Sequence, residues 1–332
     1  MVSYKNTRYS IFALGAMLLT ALLLFAGCGG PKERADVVVR GGSGATGAPK
    51  ATDTKANAKY TVYLITMDQG SPFWQQIDAG CRQAVDEMGD IAYKWIAPRN
   101  HASREQGECI DQAVAAGANA IVLSAISPTE TNENLKRAAA AGVKIVYVDA
   151  AATVEGVATL MTDNLLAGRI AGETMQKALA AAGIRSGEIG LAAMGKNQNA
   201  TLRDQGFREA FRGTGFTVAP TVYLDNDRQN IKNFVRDHPD YVGFFGSNGQ
   251  TTFAIAEQVK ESGIKPVVIG FDTADFTMQM LQEGVIYATL QQLPTKMGLD
   301  GLTIAVKALK GEFKETNVKI DMGVNVITKD KL

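Results

Sequence analysis

Histidine and cysteine are scarce in this chain, two and three respectively among 332 residues, and tryptophan occurs twice. His101 lies in the loop-like RNHAS and His238 in DHPD at a helix end, settings that suit solvated or capping roles better than proton transfer. Cys28, Cys81 and Cys109 have no spacing that fits a metal site. Neither sign of charge is in excess, with Lys plus Arg and Asp plus Glu at 34 each, so the electrostatic footprint of a nucleic-acid binder is absent. FGSNG at 245–249 is no nucleophile elbow, because Phe245 stands where the first glycine is needed. These deficits argue against a hydrolase, a metalloenzyme or a DNA-bound regulator, and no catalytic residue, metal or cofactor is expected.

The chain also lacks a comfortable membrane span. Its apolar run from Ile11 to Ala26 falls short of the about 20 residues required. Lys5 and Arg8 precede that run and LLLFAGCGG ends it, which reads as a secretory signal with a small-residue processing site. Ala26 and Gly27 before Cys28 resemble the lipobox of bacterial lipoproteins, although Phe25 replaces the usual Leu. The resemblance implies a signal peptide over residues 1–27 and a lipid on Cys28; an uncleaved anchor is the plainer alternative. Residues 28–58, rich in Gly, Ala, Lys, Thr and Pro, read as a flexible tether with a reach of roughly 30 Å. Gly42, Gly44 and Gly47 form G-x-G-x-x-G within it, but Pro49 and a polar stretch follow where a dinucleotide site needs a helix.

From Tyr60 onward, apolar runs alternate with helical patterns: YTVYLIT, IAYKWI, NAIVLS, VKIVYVD and VATLM, then EIGLAAM, FTVAPTVYL, YVGFFG, PVVIGFD and YATLQQ. Such runs between helices predict parallel sheets covered on both faces, and their number predicts two α/β lobes. Cys81 and Cys109 fall in helical patterns beside different strands and are expected to stay unpaired. Ligands of such lobes bind beyond the carboxyl ends of strands, near the switch in strand order. The residues there are Ser71, Phe73, Trp74, Ser124 and Asp149, then Asn197 to Asn199, Asn248, Asp272 and Gln292. Hydroxyls, amides and carboxylates beside an aromatic suit a small ligand rich in hydroxyls. The plainer reading makes Asp149 and Asp272 helix caps, Asn248 a turn residue, and Phe73 and Trp74 the first buried turn of a helix.

Pro72-Phe73-Trp74, VYVD ending at Asp149, TDN at 162–164, Arg203-x-x-Gly206-Phe207, SNG, GFD and QLP occur in one order. That set resembles the type I periplasmic solute-binding proteins, nearest the ribose- and galactose-binding branch that feeds ABC importers, from about residue 60 to 328. The resemblance implies two doubly wound parallel-sheet lobes, residues 59–162 plus 293–321 and 163–292 plus 322–332. They would be joined by a three-crossing hinge near Asp163, Gln292 and Asp321. It carries ligand contact to Ser71, Phe73, Trp74, Ser124, Asp149, Arg203, Asn248, Asp272 and Gln292. Ser71, Ala150 and Asn226 depart from the family's usual Asn or Asp, Arg, and aromatic, and the segment 225–240 is short. Asp149, Asp272 and Arg203 sum to one negative charge, which favours a neutral sugar or polyol other than ribose. The expected protein is a lipid-anchored monomer that passes a small sugar or polyol to an ABC importer permease, touching the membrane only through its lipid. A ligand-sensing input for a chemoreceptor or histidine kinase is the alternative.

Overall fold

The computed structural model describes residues 58–332 apart from Asn226. The signal peptide, Cys28, the tether up to residue 57, its glycine pattern and the Asn226 departure lie outside the described residues. Strands β1 (Tyr60–Ile65), β2 (Ile91–Ile96), β3 (Ala120–Leu123), β4 (Lys144–Val148) and β5 (Ala158–Met161) alternate with helices α1 (Pro72–Met88), α2 (Ser103–Ala115) and α3 (Asn132–Ala140). After α4 (Asn164–Ala181) come β6 (Gly187–Ala193), α5 (Gln198–Ala210), β7 (Phe216–Val218), β8 (Val222–Tyr223), α6 (Arg228–Asp237) and β9 (Gly243–Gly246). The chain ends with α7 (Gly249–Ser262), β10 (Val267–Phe271), α8 (Asp275–Gln282), β11 (Ala288–Gln291), α9 (Pro294–Lys310), β12 (Val318–Asp321) and β13 (Asn325–Thr328).

The strands form two sheets, ordered β12-β5-β4-β3-β1-β2 and β13-β11-β10-β9-β6-β7, with β8 also paired to β6. Every pairing is parallel except β13 against β11. AIVL of β3 and GFFG of β9 are buried at every position, as strands covered on both faces must be. Separate apolar clusters fill the layers flanking each sheet. The order of strands reverses between β1 and β3 in the first sheet and between β6 and β9 in the second. Loops leaving those strands therefore meet at the switch points.

The chain passes between the sheets three times: after β5, after β11, and between β12 and β13. The three passages touch. Asp163 N donates to Asp321 Oδ1 at 3.0 Å, and Thr162 Oγ1 donates to Gln292 Oε1 at 3.0 Å. Glycines bring two helix pairs into backbone contact. A Cβ on Gly80 would lie 1.9 Å from the Thr295 carbonyl oxygen, joining α1 to α9, and one on Gly206 would lie 2.0 Å from that of Leu165, joining α4 to α5. Arg203 is thus carried on a helix whose position is set by a neighbour's main chain.

FTVAPTVYL is two short strands rather than one. Pro220 offers no N–H to β6, and Arg208 donates to the carbonyls of Val218 and Ala219 at 2.8 Å each where β7 ends. The sequence patterns also omit β12 and β13, whose residues are mostly exposed or half-buried and so lack a clear apolar run. Cys81 and Cys109 are both free. Cys81 is fully buried on α1, where its thiol approaches the Gly298 carbonyl at 3.4 Å.

Candidate functional site: the cleft at the switch points

A cavity of about 950 Å3 opens between the carboxyl ends of the two sheets. Its first wall begins where β1 ends. Asp68 folds the loop around itself: Oδ1 accepts from the backbone N–H groups of Gly70 and Ser71, both at 2.8 Å, and Oδ2 accepts from Trp74 Nε1 at 3.0 Å. Ser71 then caps α1 by accepting from Phe73 N at 3.3 Å, and Pro72 occupies the first turn, where a missing N–H costs nothing. Phe73 and Trp74 both line the cavity and meet edge to face at 4.9 Å. Trp74 is only 7% exposed and packs into the core of the first lobe as well. One indole therefore serves both readings of ITMDQGSPFWQQI, as a core residue and as part of the cavity wall. Gln106 of α2 splices the ends of β1 and β3, donating to Ser124 O at 2.8 Å and Thr66 O at 3.3 Å.

Ser124 does not line the cavity. It continues the register of β3, with its N–H donating to Ile65 O, and lies fully buried beside Asp149. Its hydroxyl makes no hydrogen bond of normal geometry.

Asp149 follows β4 and Asp272 follows β10, each in the left-handed region at φ 63° and 64°. Non-glycine residues pay for that conformation, and it aims each carboxylate out of its sheet toward the cavity. Burial pushes the Asp149 carboxyl up to about 6; Arg203 opposes this, Asp272 adds to it, and the Ser124 hydroxyl opposes it weakly. Asn199 Nδ2, from the second lobe, donates to Asp149 Oδ1 at 3.2 Å. Asp272 is held differently: Oδ1 accepts from Gln292 Nε2 at 2.8 Å and Oδ2 from Gly249 N at 3.0 Å. It thereby helps to cap α7, a helix from a neighbouring strand rather than the one following it.

Arg203 is buried on α5. Its Nε donates to Asn164 Oδ1 at 2.7 Å, Nη1 to Ser247 O at 2.8 Å and Nη2 to Gln292 Oε1 at 3.0 Å, while its plane lies 3.8 Å from the Phe271 ring centroid. Burial pulls its pKa down, and Asp272 and Asp149 oppose that. A guanidinium has five N–H groups. Those left over after these bonds are available to the cavity, which Arg203 lines. Gln292 is an organiser: Oε1 accepts from Thr162 and Arg203, and Nε2 holds Asp272. Asn248 caps α7 in a capping box with Thr251, using its Oδ1 and leaving its NH2 without a partner among the described residues.

Sequence reasoning missed several residues on this surface. Asp68, His101, Lys196, Arg228, Ser247 and Phe276 all line the cavity. Ser247 is 1% exposed and its hydroxyl has no partner, as expected of a group placed to meet a ligand. Ser247 and Lys196 follow β9 and β6 at the switch point, so position alone could have found them. With Asp68, Lys196 and Arg228 added, the lining carboxylates and cations balance instead of leaving one negative charge.

Residues 62–313 match the sequence profile described as a periplasmic binding protein domain. The chain belongs to that family. It is similar to the ribose import binding protein RbsB of Escherichia coli, 26% identical over 275 residues, spanning 80% of this chain and 90% of that one. An ABC transporter solute binding protein from Burkholderia graminis, solved with D-arabinose, superposes with a TM-score of 0.77 at 26% identity, covering 83% of this chain and 98% of that one. A carbohydrate transporter solute binding protein from Agrobacterium radiobacter, also with D-arabinose, gives 0.74 at 27% identity, covering 82% and 95%. This periplasmic binding protein thus has the type I architecture that the motif order implied, and its family is one of transporter binding proteins rather than enzymes.

Proposed function

We propose that this periplasmic binding protein captures a small sugar or polyol between its lobes and delivers it to an ABC importer from a lipid anchor on Cys28. The observation that carries the reading is the pair of carboxylates, Asp149 and Asp272, presented from different sheets in left-handed conformations to one cavity, with Arg203 buried between them electrostatically. A carboxylate accepts from two vicinal hydroxyls, and a guanidinium with spare N–H groups donates to ring or hydroxyl oxygens. In this reading Asn248 supplies its free amide, Ser71 and Phe73 close the first wall, and the Trp74 edge supports a sugar face. Gln292 positions Asp272 and Arg203, and Ser124 tunes Asp149 from behind. The monomer works outside the cytoplasm, in keeping with its family.

Thermal melts against a panel of sugars and polyols test this directly. A ligand at 100 times its Kd adds roughly 2.7 kcal/mol to stability. A panel with no stabilising member would refute the reading. For the anchor, a fatty-acid probe should label the wild type and not Cys28→Ala, and equal labelling of both would remove it.

A further inference from the structure

We infer that the ligand of this cleft carries an anionic group, a carboxylate or phosphate, seated on the rim of the second lobe between Lys196 and Arg228. The inference rests on the sugar-binding reading above and narrows it to acidic sugars. It starts from register. Strand β8 pairs with β6 through Ala192 with Val222 and Ala193 with Tyr223, and Asp225 N donates to Met194 O at 3.2 Å. The loops carrying Lys196 and Arg228 therefore leave the sheet side by side, and both residues line the cavity.

Lys196 has no carboxylate partner among the described residues, and Arg228 has only a long, shared one. The Lys196 ammonium lies 5.5 Å from the Tyr223 ring centroid and has no ion pair among the described residues. The Arg228 guanidinium lies 4.8 Å from the Phe253 centroid. Its carboxylate neighbour, Glu257, is 3.8 Å away and is shared with Lys232 at 3.5 Å. Asp225 and Asp227 flank the loop, but neither lines the cavity, and Asp227 Oδ1 is committed to capping α6 through Gln229 N at 2.9 Å. Phe253 in turn packs on Phe276 at 4.5 Å, which supplies an aromatic wall beside the cations.

Space and chemistry agree. At about 950 Å3 the cavity between the lobes has room for a sugar bearing an added carboxylate or phosphate. The floor, with Asp149, Asp272, Arg203 and the orphan Ser247 hydroxyl, suits hydroxyls. The rim, with Lys196 in no ion pair among the described residues and Arg228 only loosely paired to a shared Glu257, suits an anion. A ligand with both ends satisfied is a sugar acid or a sugar phosphate.

The test is calorimetry on the full-length protein with D-glucose and D-galactose, D-glucuronate and D-galacturonate, and the matching hexose phosphates. Wild type, Lys196→Ala and Arg228→Ala are compared at low and high salt. At least one anionic sugar should bind the wild type about tenfold or more tighter than its neutral parent, as a charge-assisted contact provides. That advantage should shrink in both variants and with salt. Preference for the uronate or the phosphate assigns the anion. Neutral sugars binding as tightly as their acids would overturn the inference while leaving the sugar reading intact, as would an anionic preference unchanged in both variants. Binding of neither class would overturn this inference, and the sugar reading would then be decided by the wider panel of sugars and polyols.

Discussion

Replacing Asp149 with Asn should make the ligand-free protein more stable at neutral pH while weakening its binding of ligand. The carboxyl is displaced from its ordinary 3.8 to about 6, mainly by burial. At about 1.36 kcal/mol per pH unit, holding it ionised in the folded state costs about 3 kcal/mol. Below its ordinary value the group is protonated in both folded and unfolded chains, so the cost is absent. The cost grows as pH rises from 3.8 toward about 6 and is complete above it. Asn carries no charge to bury, and its Oδ1 can still accept from Asn199 Nδ2, which now donates to Asp149 at 3.2 Å. Urea denaturation at pH 7.5 should therefore show Asp149→Asn more stable by about 1 to 3 kcal/mol, the lower figure allowing for water in the cleft. The gain should fade in a series taken down toward pH 4. A variant no more stable than wild type at pH 7.5, or a gain that does not vary with pH, would refute the reasoning. Ionised, the same carboxylate accepts the stronger, charge-assisted hydrogen bonds from ligand hydroxyls, so wild-type affinity should fall as pH drops below about 6.

Three other substitutions probe the site. Arg203→Ala removes a guanidinium that joins Asn164, Ser247 and Gln292, and calorimetry should show ligand binding weakened by at least roughly 1.5 to 3 kcal/mol; binding equal to wild type would discard its assigned role. Gly206→Ala should destabilise the fold by about 1–3 kcal/mol in denaturant melts, because its Cβ would lie 2.0 Å from Leu165 O and push α5 with Arg203 outward. An unchanged melt would show that the helix contact is looser than drawn. In a Trp95→Phe background, ligand addition should change the emission of Trp74, whose indole lines the cavity and donates to Asp68 at 3.0 Å. A silent spectrum with a calorimetrically confirmed ligand would confine Trp74 to the core.

Much of the architecture was legible because parallel strands buried on both faces leave near-continuous apolar runs, and the polar residues ending them mark the ligand side. Asp149, Asp272 and Asn248 could be found that way. Their dual roles could not, since nothing local shows that Asn248 caps α7 with one end of its amide, or that Asp272 caps the same helix from another strand. Ser124 was misplaced toward the cavity because strand-end position does not reveal which side chains turn inward. Arg228 escaped because it sits at a first helical turn, where a lone cation has no pattern; only the β6 to β8 pairing sets its loop beside that of Lys196. Asp68 escaped for a similar reason, two of its three partners being main-chain N–H groups that any sequence would offer.

Gln292 has a consequence for anyone altering this protein. Its side chain reaches Thr162 on one interlobe passage while sitting on another, and it grips both Arg203 and Asp272. A turn of one passage against the other must move the amide, and the amide must then move the cation and the carboxylate. Under the proposed capture between the lobes, selectivity and any turn of the lobes are therefore geared together rather than separately adjustable. A cleft redesigned for a new ligand while Gln292 is kept inherits that linkage; one that replaces Gln292 must build its own.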